Sequence, residues 1–573
     1  MPAEQAVLVG DGVDKRPHWE PLLPQPAFIP TRKMRVACIG AGMSGLMVAW
    51  KVQHGFKLEN EIDLTIYDRN PEIGGTWYEN TYPGASSSDV PAHVYVFPFE
   101  GNPDWTSFYA TQPEIQAYIS RTAKKWDLRK YVQLNTTIHE TIWDEGCGRW
   151  KILFEQGGHM KRDEADFIIN GSGFLNKWKW PDVKGIWDFK GKLVHSAHWD
   201  NEYDWEGKRV AVLGNGNSGI QIVASMQPKV VKMVNYVRQP TWIARNFLDS
   251  KAPVNHNYEF SEEQKQQWRD DPALLLEFRK DLERSINIIF YAMIVDHPVQ
   301  KAYGADCRAR MLESMQTSTD EFRDRMIPKY HAGCRRITPG DNYLEAVQAQ
   351  NSRLCWDHIE RFTEKGVRTV TGEEEEFDMI VCATGFDSSW LPQWKLVGRN
   401  GARLEEMWKE DPRAFFATQV ESMPNYGMVN GPNPPISHGS VPSTMSWTCD
   451  YLLRWIMRMN REDIKTVAVK KEVVDDFNEY SQEVLKGTVW AGKCRTLYKN
   501  GRDGGRITGV YAGSMMHFKN GLEHALHQGE HFDITWRSKN RFRCLGTGKA
   551  PSDEDGDGDV APYMDDLVKY LSK

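Results

Sequence analysis

Two turns of the form G-x-G-x-x-G stand far apart in this chain, Gly40-Ala41-Gly42-Met43-Ser44-Gly45 and Gly214-Asn215-Gly216-Asn217-Ser218-Gly219. Each follows a short apolar strand and opens a helical run, the order that a nucleotide-binding βαβ unit requires. Arg35 to Ile39 leads into the first turn, a helix is expected from Ser44 to Val52, and a strand from Asp63 to Tyr67 ends at Asp68. Arg209 to Leu213 leads into the second, a helix opens at Ser218, and Val230 to Val237 is the next strand, ending at Arg238. In such a turn the first glycine permits the bend, the second lets backbone approach a pyrophosphate, and the third lets helix and strand pack closely. The two turns predict an α/β fold with two Rossmann-like dinucleotide-binding domains, and so two dinucleotides on one polypeptide.

The residues that close the two units differ. Asp68 is placed to accept hydrogen bonds from ribose hydroxyls. Arg238, followed by Gln239, has no acidic neighbour, and a guanidinium clamps a 2′-phosphate that a carboxylate would repel. The second site is therefore expected to take NADPH rather than NADH.

The 573 residues suffice for two or three domains. Residues 1–33 read as a proline-rich arm, docked by Trp19 and Phe28. Residues 246–327 are charged and apolar at helical spacing and read as a helical insertion in the NADP domain. The expected domains are 34–177 with 386–573 for the first nucleotide and 178–245 with 328–385 for the second. A net charge of −7 excludes a nucleic-acid footprint. The longest apolar run in the helical stretch after Ser285 is Ile288 to Val295, too short to cross a membrane. With no signal peptide at the start, a soluble cytoplasmic protein is expected, with a monomer as the working assumption. The nine cysteines include no C-x-x-C pair, which argues against a disulfide scaffold, a redox dithiol and a zinc site. Asp553, Asp555, Asp557 and Gly558 match half of an EF-hand loop, but Met564 stands where the bidentate Glu belongs, so an acidic linker is expected.

Gly74-Gly75-Thr76-Trp77, Tyr82-Pro83-Gly84 and Asp89 resemble the segment that follows the first nucleotide unit in type I Baeyer–Villiger monooxygenases. Residues 189–200 match that family's F-x-G-x-x-x-H-x-x-x-W-[PD] pattern at every fixed position, and Asp378 to Gly385 resembles its Ala-Thr-Gly turn. Asp89-Val90-Pro91-Ala92-His93 is similar to the fungal-type members. The resemblance spans roughly residues 34–545. It implies FAD at the first turn and NADPH at the second, with oxidation of a ketone by O₂ to an ester or lactone through a C4a-peroxyflavin. The alternative is a flavin monooxygenase that oxygenates amines or sulfides. It also implies site residues. Arg336, in Gly333-Cys334-Arg335-Arg336, would supply the permanent cation that a peroxo anion needs. Asp89 would sit beside it, with Thr76, Trp77 and Tyr95 along the flavin. Arg335 would join Arg238 and Gln239 on the 2′-phosphate. His195 would be either catalytic or a hinge residue between the two nucleotide domains. No metal is required.

The chain departs from the family in three places. Thr81 stands where Arg usually precedes Tyr-Pro-Gly, and one extra residue separates Gly84 from Asp89. Leu497 replaces a lid tryptophan, so the expectation is either a looser closure or another aromatic, such as Trp490, serving in its stead.

Overall fold

The computed structural model describes residues 20–87, 89–244, 257–336, 338–340, 342–524 and 529–554, with Asp559, Ala561 and Met564. Trp19, Ser88, residues 245–256 at the start of the expected insertion and most of the acidic tail lie outside the described residues.

Two five-stranded parallel sheets organise the molecule. The first runs in the order Tyr426–Met428, Phe167–Asn170, Met34–Ile39, Ile62–Tyr67, Val132–Gln133. The second runs Ser352–Cys355, Lys232–Tyr236, Arg209–Leu213, Met379–Cys382, Lys192–His195. Parallel sheets are covered on both faces, and the central strands show it: Phe167, Ile168, Ile169, Val210, Ala211, Val212, Ile380 and Val381 are fully inaccessible. The chain leaves the first sheet after Asn170, builds the second between Lys192 and Cys382, and rejoins the first at Tyr426. A mixed four-stranded sheet (Thr136–Asp144, Arg149–Gln156, His159–Ala165 and Lys395–Val397) flanks the first unit. Helix Val441–Arg461 buries its apolar stripe against helix Met43–Trp50 in the same core.

The expected insertion is helical, with helices Glu262–Asp270, Pro272–Ile288, Pro298–Ser314 and Asp320–Met326. It does not belong to the second unit alone. Trp268, Leu282 and Ile286 are packed into the core of the first sheet, whereas Met311 and Met315 are packed into that of the second. Phe260, Trp268 and Phe278 form an aromatic cage around His93, with ring centroids 4.7–5.2 Å away.

The arm docks through polar contacts. Ala27 N and Phe28 N donate to Lys549 O and Cys544 O at 2.8 Å, and Ser538 Oγ donates to Glu20 at 2.6 Å. The Phe28 side chain is half exposed, with φ of 61°, so it does not anchor the arm as expected. No helix among the described residues is long and apolar enough to cross a membrane.

Candidate active site

The two glycine turns repeat one backbone solution. Gly40 and Gly214 both have φ of 111°, open to glycine and strained for other residues. A Cβ on Gly45 would lie 2.1 Å from Gly40 O, and one on Gly219 would lie 2.4 Å from Gly214 O. Helix and turn therefore touch backbone to backbone in both units. The middle glycines behave differently. A Cβ on Gly42 would meet nothing nearer than 3.5 Å, and one on Gly216 nothing within 4 Å. Protein packing does not demand glycine there. The space lies at the N-termini of helices Met43–Trp50 and Asn217–Met226, where free N–H groups and the helix dipole favour an anion. Both cradles fit a pyrophosphate.

A large cavity opens at the first cradle. Its lining includes Gly40, Gly42, Asp68, Thr76, Trp77, Asp89, Tyr95, Ser218 and Arg336. Sequence reasoning singled out all nine, from segments 296 residues apart at the extremes. Asp68 accepts from Ala41 N at 2.6 Å and from Asn70 N at 2.9 Å, and burial raises its carboxyl above the ordinary value. Trp77 Nε1 donates to Tyr95 Oη at 3.2 Å, the two rings meeting edge to face. Gly45, Gly214, Gly216 and Gly219 shape their turns without lining this cavity.

Arg336 and Asp89 form an ion pair at the seam between the two units. Each is fixed from the second nucleotide unit. On the Asp89 side, a Cβ on Gly84 would lie 2.8 Å from Gln221 O, and Tyr82 Oη donates to Gln221 Oε1 at 2.9 Å, so the Tyr-Pro-Gly loop lies against helix Asn217–Met226. On the Arg336 side, Thr338 Oγ1 donates to Asn217 Oδ1 at 2.7 Å on the same helix. The extra residue before Asp89 does not displace it from Arg336. The Asp89 carboxylate, foremost among the neighbours, holds the Arg336 guanidinium above its ordinary pKa.

Two expectations are corrected. Trp490 is buried in a separate core with Val489 and Tyr498 and does not line the cavity, so it is not a substitute lid. Leu497 and Tyr498 take that wall. Burial pushes the Tyr498 phenol up to about 12, with Arg336 opposing. The residue is adjacent to the flagged Leu497, but an aromatic beside a leucine carries no chemical signal in sequence. The cysteines are not all free: Cys334 and Cys494, 160 positions apart, form a disulfide with Cα atoms 6.4 Å apart. Wide spacing hid a pair that only the fold brings together. His195 lies outside the cavity. Its Nδ1 accepts from Ala197 N at 3.1 Å, its Nε2 is 3.4 Å from Thr384 Oγ1, and its ring stacks on Trp178 at 4.7 Å. Burial lowers it to about 4, so it is neutral, set in the joint where the chain passes between the two sheets. Of the two roles expected for it, this position suits the hinge residue.

Arg238, Gln239 and Arg335 gather at a second place. Arg335 Nη1 donates to Pro240 O at 3.3 Å, two residues beyond Arg238. Burial and then the charges of Arg495 and Arg335 hold Arg238 below its ordinary pKa. Arg495, on the stretch that carries Cys494, was not anticipated.

Comparisons with known proteins bear on the family and the fold. Residues 33–260 match the flavin-binding monooxygenase-like family model. The chain is 45% identical over 568 residues to the FAD-binding monooxygenase tazF of Aspergillus terreus, covering 98% of this chain and 100% of that protein. It is 34% identical over 480 residues to a Baeyer–Villiger monooxygenase of Pseudomonas aeruginosa, covering 83% and 87% respectively. Its fold superposes on cyclohexanone monooxygenase from Rhodococcus sp. Phi1 bound to NADP⁺ with a TM-score of 0.75 at 23% identity, over 89% of this chain and 100% of that one. The chain belongs to the flavin-binding monooxygenases, among members that resemble the type I Baeyer–Villiger enzymes.

Proposed function

We propose that the protein uses NADPH and O₂ to convert a ketone into an ester or lactone, with FAD in the cavity of the first turn and NADP at the second. Bound FAD supplies hydride acceptance and oxygen activation. The chain's own residues position and stabilise. Gly42 and the N-terminus of helix Met43–Trp50 hold the pyrophosphate. Asp68, with an oxygen lone pair left beyond its two backbone donors, accepts from a ribose hydroxyl. Thr76, Trp77 and Tyr95 form the wall beside the flavin.

The observation that carries the reading is Arg336, paired with Asp89, in the cavity of the first cradle. Oxygen insertion next to a carbonyl places negative charge on oxygen, and a guanidinium that keeps its proton at working pH stabilises it without moving. Asp89 holds the guanidinium in one orientation. Arg238, Gln239 and Arg335 meet the 2′-phosphate. Val90, Ile436, Val441, Met445 and Leu497 give the cavity an apolar wall suited to a bulky, cyclic ketone. His195 and Trp178 keep the joint between the units in register. The test is oxygen uptake with NADPH against small, linear and fused-ring ketones, with product analysis. Ester formation in step with NADPH consumption supports the reading. Oxygenation of a competing sulfide with the ketones untouched overturns it.

A further inference from the structure

We propose that Arg495 is a third cationic contact for the 2′-phosphate of NADP, and that the Cys334–Cys494 disulfide holds it in place. This rests on the reading of the second turn as an NADP site and names a residue and a covalent tether beyond it. Three chain segments meet here. Gln239 Nε2 donates to Arg495 O at 3.1 Å, which ties the segment after Arg238 to the stretch bearing Arg495. Arg335 Nη1 reaches Pro240 O at 3.3 Å. The disulfide joins Cys334 and Cys494, each one residue before one of these arginines, so both arginines leave the same crosslink.

The charges are arranged for an anion. Among the described residues, none of Arg238, Arg335 and Arg495 has a carboxylate partner within ion-pair distance. Burial comes first in lowering the Arg238 pKa, and the positive charges of Arg495 and Arg335 lower it further. A dianionic phosphate relieves the repulsion among these charges and a ribose hydroxyl does not, so the cluster discriminates NADP from NAD. Arg495 Nε donates to Gly501 O at 2.7 Å, which leaves its two Nη groups for a ligand. Two residues further along, Leu497 and Tyr498 wall the cavity that holds Arg336. The tether thus links the phosphate contact, the wall residues and the Arg335-Arg336 segment. Opening the disulfide takes two electrons and two protons. Dithiothreitol supplies both, becoming its own cyclic disulfide as Cys334 and Cys494 become thiols.

The experiment titrates the FAD-loaded, full-length protein with NADP⁺ and with NAD⁺, following the flavin absorbance. Arg238→Ala tests the underlying reading: NADP⁺ affinity should fall at least about ten-fold with NAD⁺ little changed. Arg495→Ala should weaken NADP⁺ about ten-fold and NAD⁺ less than about two-fold, and Arg495→Lys should recover part of the loss. Reduction of the wild type by dithiothreitol, verified by two additional titratable thiols, should weaken NADP⁺ about three-fold, because the arginine is released rather than removed. Cys494→Ser should match it, and reduction should add nothing in Arg495→Ala. If Arg238→Ala is not selective, the NADP reading itself fails. If Arg238→Ala is selective and Arg495→Ala is not, the third contact is wrong. If Arg495→Ala acts while reduction and Cys494→Ser do not, the tether is wrong.

Discussion

Asp166 is fully inaccessible, and its carboxylate gathers three guanidinium groups. Arg32 bonds both oxygens at 2.7 and 2.8 Å, Arg149 Nε donates at 3.1 Å and Arg537 Nη2 at 3.3 Å, with Arg35 N adding a bond at 2.9 Å. The site ties the N-terminal arm, the flanking sheet and the C-terminal region to the base of the first parallel sheet. Replacing Asp166 by Asn keeps the shape and removes the charge, leaving three cations facing one another. Losing one partner of a fully buried pair costs about 3–5 kcal/mol. These arginine side chains retain 26–32% exposure, so solvent screens part of the repulsion. We take about 3 kcal/mol, a drop in Tm of roughly 3–6 °C for a domain of this size. Release of flavin fluorescence from the FAD-loaded protein on heating measures it. Burial alone would raise the Asp166 pKa, but the Arg32 bond and charge, aided by Arg35 N and Arg149, hold it below the ordinary 3.8. Its contribution is present above 3.8 and is lost as pH falls toward the lower folded value. The gap between wild type and Asp166→Asn should therefore narrow below that pH. An Asn variant within about 1 °C of wild type at pH 7, with Asp166→Ala well below both, would refute the charge argument and leave only shape.

Three further outcomes follow from the same geometry. His93 makes no hydrogen bond through either ring nitrogen among the described residues, and burial lowers it to about 3. The unfolded chain takes up its proton near the ordinary 6.5, so stability falls as pH drops from there toward 3; His93→Phe should flatten that slope in denaturant melts between pH 7 and 4. Gly42→Ala should fold and bind FAD more weakly, whereas Gly45→Ala, with a Cβ 2.1 Å from Gly40 O, should lose folded protein altogether; circular dichroism and flavin titration separate the two. Trp490→Ala should lower stability by about 3–5 kcal/mol, as truncation of a buried Trp does, and leave NADP⁺ affinity within about two-fold at 20 °C.

The legible part of this fold was local chemistry with a fixed register. Gly40, Gly42 and Gly45 occupy a βαβ unit whose geometry leaves few options, and so do Gly214, Gly216 and Gly219. The strands flanking both turns fell within two residues of expectation for the same reason. Asp89 and Arg336 were legible through resemblance, because pairing two charges 247 positions apart needs the seam between the units. What stayed hidden was long-range. Cys334 and Cys494 meet only because the 335–336 segment and the 494–498 stretch converge. Arg495 joins Arg238 for that reason too. Trp490 was misread because an aromatic near a lid position looks the same in sequence whether it faces a cavity or a core. Phe28 failed as an anchor because hydrogen bonds from Ala27 and Phe28 backbone to Lys549 and Cys544 hold the arm instead.

In the proposed reaction the Arg336 cation directs activated oxygen into the ketone. The most direct measurement is the ratio of ester formed to NADPH consumed, with hydrogen peroxide assayed alongside, in wild type and Arg336→Ala. We expect a ratio near unity in the wild type. In the variant we expect continued NADPH oxidation, hydrogen peroxide as the product and at least about a hundred-fold less ester. An Arg336→Ala enzyme that makes ester at the wild-type ratio would contradict the claim.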